Sequence, residues 1–172
     1  CGGAPVALSK GAAGDAELTE LLRRETQLPV VTANGAVIDG LRMLGARSVL
    51  VVSPFIDARN QEIKNFLEAN SFTVAETRGL GLTKNIDFAS QSPDAAFALA
   101  YGAAKAHPEA DAIYIACPRW PSVDIIAALE ADTGKAVVAA PAAMVWGALK
   151  ALRINDCRPG FGRLMDRLRS AN

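Results

Sequence analysis

Histidine is almost absent: His107 is the only one in the 172 residues, so a Ser–His or Cys–His catalytic pair has almost nowhere to come from. A surplus of one charge is absent too. Eighteen Lys and Arg balance eighteen Asp and Glu, which leaves no electrostatic footprint for nucleic acid or an anionic membrane surface. No apolar run is long enough to span a bilayer, so neither nucleic acid nor membrane is expected as a partner. Cysteine is scarce and odd in number: Cys1, Cys117 and Cys157, with no close CxxC spacing. That argues against a disulfide framework and, with no secretory leader pattern, predicts free thiols in a reducing cytoplasm. The sequence does not begin with Met; Cys1 is either exposed by Met removal or marks a chain cut from something longer.

What is present is an apolar half, 51% of residues, enough to bury the core of one domain or two small ones. Asp15 is placed to cap a helix through Gln27, and a second helix is expected from Asn34 to Leu44, stopped at Gly45. Ser48 to Val52 does not alternate, as in a strand covered on both faces, and Pro54 is expected to end it. A helix from Asp57 or Arg59 to Asn70 and a short strand from Phe72 to Thr77 follow, after which Gly79-Leu-Gly81-Leu82 is read as a loop reaching Asn85. Ser92 and Pro93 start a helix ending near His107, Asp111 to Ala116 is a buried strand, and Ser122 begins a helix closed by Gly134. Ala136 to Ala139 is a short strand, and Pro141 opens a helix to Leu152. This alternation predicts an α/β fold with a doubly wound, parallel, four-stranded sheet. Residues 45–154 form a complete unit in this reading; 1–44 is less than a domain and 155–172 is a C-terminal helical tail.

Two thiols stand out. Cys1 opens the turn Cys1-Gly2-Gly3, and Cys117 opens Cys117-Pro118-Arg119 at the carboxyl end of a buried strand, where open α/β sheets place their chemistry. Across one cleft, such a pair can attack or deprotonate carbon from one side and handle a proton on the other. Cys117 is otherwise a small core residue, and Cys157 is incidental. Asn85 either binds an anion or caps a turn. Arg119 clamps an anionic substrate, lowers the Cys117 pKa or is simply solvated. Gly79 and Gly81 lack the third glycine and the following helix of a phosphate loop. His107 is accounted for by a helix C-terminus.

Several segments in order, Pro29-Val-Val-Thr32, Ser48-Val-Leu-Val-Val-Ser-Pro54, Gly79-Leu-Gly-Leu-Thr-Lys-Asn85, Asp111-Ala-Ile-Tyr-Ile-Ala-Cys117 and Trp146-Gly-Ala-Leu149, carry a resemblance. The chain resembles the aspartate/glutamate racemase superfamily, in the branch of maleate cis-trans isomerase and arylmalonate decarboxylase. The resemblance implies a pseudo-symmetric two-domain molecule, here one complete half with residues 1–44 as a remnant of the other. It also implies a cysteine from each domain facing a small carboxylate, with no metal and no cofactor. Carried over, Cys1 and Cys117 are the catalytic pair, and Asn85 helps hold a carboxylate. The family's opening strands, with a Ser-Asn-Thr loop, have no counterpart before Cys1, which implies a missing N-terminal segment or partner chain; a homo-oligomer is also possible.

Four positions depart from the pattern. Gly2 and Gly3 stand where hydroxyl side chains are usual, leaving backbone N–H donors for an oxyanion. Phe55 stands for a tyrosine and loses its hydroxyl, and Pro118 has no N–H. With Ser53, these residues complete the expected substrate-binding set. The expectation is a cofactor-independent, cysteine-pair isomerase of the maleate type, with a decarboxylase, a racemase or a noncatalytic carboxylate binder as alternatives.

Overall fold

The computed structural model describes residues 11–155 and 159–169. Cys1, Gly2, Gly3 and Cys157 lie outside them. Helices α1 (Gly11–Thr26) and α2 (Ala33–Met43) precede β1 (Ser48–Phe55), α3 (Asp57–Ala69) and β2 (Thr73–Leu82). A short α4 (Asn85–Ala89), α5 (Pro93–Ala106), β3 (Ala112–Ile115), α6 (Ile126–Thr133), β4 (Ala136–Ala139), α7 (Ala140–Ala151) and α8 (Arg163–Arg169) follow. The four strands are parallel in the order β2-β1-β3-β4.

The apolar runs explain the layering. β3 and β4 are buried at every position, and β1 at all but its ends, so each needs cover on both faces. On one face Val49, Val51, Ala112, Tyr114 and Val138 pack with Ile38 and Leu41 of α2, Leu67 of α3, Trp146 of α7 and Leu164 of α8. On the other, Leu50, Val52, Ile113, Ile115 and Val137 pack with Ala96 and Ala100 of α5 and Leu129 of α6. The expected doubly wound sheet is therefore present, and α2 belongs to its core.

Local chemistry sets the ends. Thr32 caps α2 by accepting the Gly35 N–H at 3.0 Å, and Ser92 caps α5 by accepting that of Ala95 at 3.2 Å. Gly134 closes α6 in the left-handed conformation, φ 71°. Asp15 is not a cap. It lies inside α1, buried, where its carboxylate accepts the Thr32 hydroxyl at 2.8 Å and ties α1 to the start of α2.

Three further sequence expectations are corrected. β1 does not stop at Pro54: pairing with β3 ends at Val52, and an irregularity in the pairing with β2 lies between Ser53 and Phe55, which accommodates a residue without an N–H. Gly79 to Leu82 is strand rather than loop, because β2 runs beside the extended β1. At Gly79 a Cβ would overlap the Phe55 carbonyl and the Asn60 amide, so only glycine lets the strands approach there. Ser122 does not begin α6; it is buried and its hydroxyl donates to the Trp120 carbonyl at 3.1 Å, four residues before the helix starts.

Candidate active site

A cavity of about 480 Å³ opens over the carboxyl ends of the strands. Phe55 and Ile56 reach it from β1, Leu82 and Thr83 from β2, Ala116 to Arg119 from β3, and Ala140 from the end of β4. β1 is followed by a helix on one face, and β3 is preceded by a helix on the other; the gap between their ends is the topological switch point, where such sheets bind ligands.

Cys117 sits two residues beyond β3 with only 5% of its surface exposed and with positive φ, 84°. Burial pushes its thiol pKa up. The backbone N–H groups of Arg119 and Trp120, and then the Arg119 charge, pull in the opposite direction. Pro118, which lines the cavity, offers no N–H, and the next two residues supply the amides instead. Tyr114, three residues earlier on β3, also lines the cavity; the pKa of its hydroxyl is raised well above the ordinary range, first by burial and then by the neighbouring Cys117.

Of the other expected site residues, Phe55 and Asn85 line the cavity. Phe55 packs edge-on to Phe88 of α4, with ring centres 5.0 Å apart at 82°, and forms an apolar wall with Ile56, Ile63 and Leu82. Asn85 is exposed at the first position of α4. Ser53 lies elsewhere: fully buried, it donates to Asn60 Oδ1 at 2.5 Å and accepts the Phe55 N–H at 3.0 Å. It fixes the end of β1 beneath the cavity and is not among the lining residues.

Sequence reasoning passed over Asn34, Arg59, Tyr114 and Thr83. Asn34, second residue of α2, is 4% exposed, lines the cavity, and has an Nδ2 with no hydrogen-bond partner. A capping Thr two residues earlier was the only local signal that a helix begins there. Arg59 lines the rim and pairs with Glu62 on α3. Among the described residues, the charged side chains lining the cavity are both arginines, Arg59 and Arg119, and no carboxylate faces it. His107 is not a lining residue; it caps α5 and lies 3.0 Å from Glu109 and 3.5 Å from Glu76. No group of three or more His, Cys, Asp or Glu among the described residues is placed to hold a metal ion, and no described helix is long and apolar enough to cross a membrane.

Fold and site together define a doubly wound α/β protein with a buried cysteine at the switch point, as the resemblance to the racemase superfamily implies, and with two arginines on the cavity lining. The family model for arylmalonate decarboxylase matches residues 2–165, and the chain belongs to that family. Arylmalonate decarboxylase of Bordetella bronchiseptica is 33% identical over 165 residues, covering 95% of this chain and 69% of its own length. Maleate isomerase of Pseudomonas putida is 28% identical over 137 residues, covering 80% of this chain and 54% of its own. The chain thus spans little more than half the length of that relative. A crystal structure of arylmalonate decarboxylase superimposes with a TM-score of 0.89 at 33% identity, over 96% of this chain and 73% of that one. A cysteine-to-serine variant of Nocardia farcinica maleate cis-trans isomerase, holding a covalently bound succinylcysteine, gives 0.86 at 25% identity over 96% of this chain and 68% of that one. These relatives are enzymes, and their names join the decarboxylase and isomerase branches that the sequence resemblance indicated.

Proposed function

We propose that this chain catalyses proton delivery to carbon during decarboxylation of a small malonate-type diacid bearing an apolar substituent, with Cys117 as the acid. The observation that carries this reading is the state of Cys117: burial keeps the thiol protonated, while adjacent amides and Arg119 receive the thiolate once the proton has left. A group poised in this way suits an acid better than a standing nucleophile.

In the proposed step the bond between the α-carbon and one carboxylate breaks and CO2 leaves. The electron pair remains as an enediolate on the carboxylate that is kept. The Cys117 S–H bond then breaks as its proton joins the α-carbon, and the thiolate regains a proton from water. The wall of Phe55, Ile56, Ile63, Leu82 and Phe88 suits the apolar substituent, and the arginine rim suits a diacid. Asn85 and the backbone around Gly2 and Gly3 complete the carboxylate contacts in this proposal, and Cys1 would face the opposite side of the planar intermediate.

A second reading, the maleate-type isomerase with Cys1 and Cys117 as a pair, is favoured by the succinylcysteine held in the Nocardia farcinica relative. The two differ in their products. With phenylmalonate in D2O, the parent protein is expected to release CO2 and yield phenylacetate carrying one solvent deuterium at the α-carbon. Cys117→Ala is expected to lower kcat by roughly 10²–10⁴-fold. Conversion of maleate to fumarate with no CO2 from any malonate would overturn the decarboxylase reading in favour of the isomerase, and turnover of neither would overturn both.

A further inference from the structure

We propose that Asn34, with the first turn of α2, binds the carboxylate that the substrate keeps; this rests on the decarboxylase reading of the cavity. Asn34 lines the cavity, is 4% exposed, and carries an Nδ2 with no acceptor among the described residues. A buried donor without a partner is unfavourable unless something else supplies an acceptor, and the space it borders is the one that would receive a ligand. Its position on the helix adds to this. Thr32 takes the Gly35 N–H, and the Ala36 N–H closes the first helical bond onto the Thr32 carbonyl. The amides of Ala33 and Asn34 come before that bond and have no acceptor within the helix, and both residues line the cavity. The eleven-residue α2 therefore directs the positive end of its dipole, and an orphaned side-chain amide, toward the same wall.

The kept carboxylate is the better occupant for an energetic reason. Negative charge grows on its oxygens as CO2 departs, so a fixed donor there binds the transition state more strongly than the ground state. On the departing carboxylate the same donor would stabilise a charge that must disappear, and so would slow the reaction. Among the described residues, no side-chain carboxylate lines the cavity to compete for Asn34.

The test compares binding of phenylacetate, which retains that carboxylate, with binding of neutral 2-phenylethanol by calorimetry. Asn34→Leu is expected to weaken phenylacetate by roughly 10- to 100-fold and leave 2-phenylethanol unchanged. Asn34→Asp is expected to weaken phenylacetate further through like charge, again sparing the alcohol. Asn34→Ala removes the amide without adding bulk and serves if leucine disturbs the fold, as judged by the melting curve. Equal losses for acid and alcohol, unchanged phenylacetate binding in folded variants, or no phenylacetate binding by the parent would each overturn the proposal. Binding does not depend on turnover, so the two readings fail separately. Selective loss of phenylacetate binding in a protein that never releases CO2 would uphold the carboxylate site and remove the reaction. Normal decarboxylation with unaltered binding in the variants would do the reverse.

Discussion

Cys117 is held between two opposing influences. Burial raises its pKa, so the protonated form predominates well above neutral pH; the Arg119 and Trp120 amides and the Arg119 charge oppose that rise without cancelling it. The sign of the pH dependence follows. A general acid works while protonated, so a raised pKa moves the alkaline limit of activity upward. The kcat/KM of the parent for phenylmalonate is expected to stay flat through neutral pH and to fall only above the ordinary thiol range. Arg119→Gln removes a group that favours the thiolate, so its alkaline limb should move further up, by less than about one pH unit because Arg119 is exposed and screened. A downward move in a pH-rate series would contradict the assignment of Cys117 as the acid.

The elements bring these residues together through one close approach. β2 passes β1 at Gly79, where a side chain would meet the Phe55 carbonyl and the Asn60 amide, and Phe55 and its neighbours form the cavity wall. Gly79→Ala is therefore expected to destabilise the fold by about 1–3 kcal/mol in denaturant titration. It should also raise KM, since the displaced end of β1 carries Phe55 with it. The same contact marks the limit of what the sequence discloses. The buried runs Ser48–Val52 and Ala112–Ile115, the caps at Ser92 and Gly134 and the α/β alternation are local signals, and they were legible. That Gly79 to Leu82 belongs to a strand was not, because glycine is a turn former by local propensity and is required here by a neighbour distant in sequence. Cys117, Asn85 and Phe55 were identified from the motifs around them and lie on one cavity. Asn34 and Arg59 were missed because their placement follows from how α2 and α3 pack on the sheet. Ser53 is expected in the substrate-binding set as a donor, whereas its hydroxyl is committed to Asn60 beneath the cavity.

At the scale of the molecule, covering the sheet on both faces leaves the strand ends as the open surface at which the described cavity lies, and Cys117 is the residue that turns the chain there. Its φ of 84° is one that side chains other than glycine rarely adopt, at a cost of about 1–3 kcal/mol. Glycine at this position would relieve that cost, but its greater freedom in the unfolded chain offsets about 0.5–1 kcal/mol and the buried side chain it gives up roughly another 1 kcal/mol. Cys117→Gly is thus expected to melt close to the parent temperature while losing turnover, whereas Cys117→Val, branched and held at the same φ, should melt lower than the glycine variant. A glycine variant that melts below the valine variant would refute this. If Cys117 is the acid proposed above, the backbone strain held at this turn is what fixes its thiol over the strand ends, a local cost accepted for the placement of one sulfur.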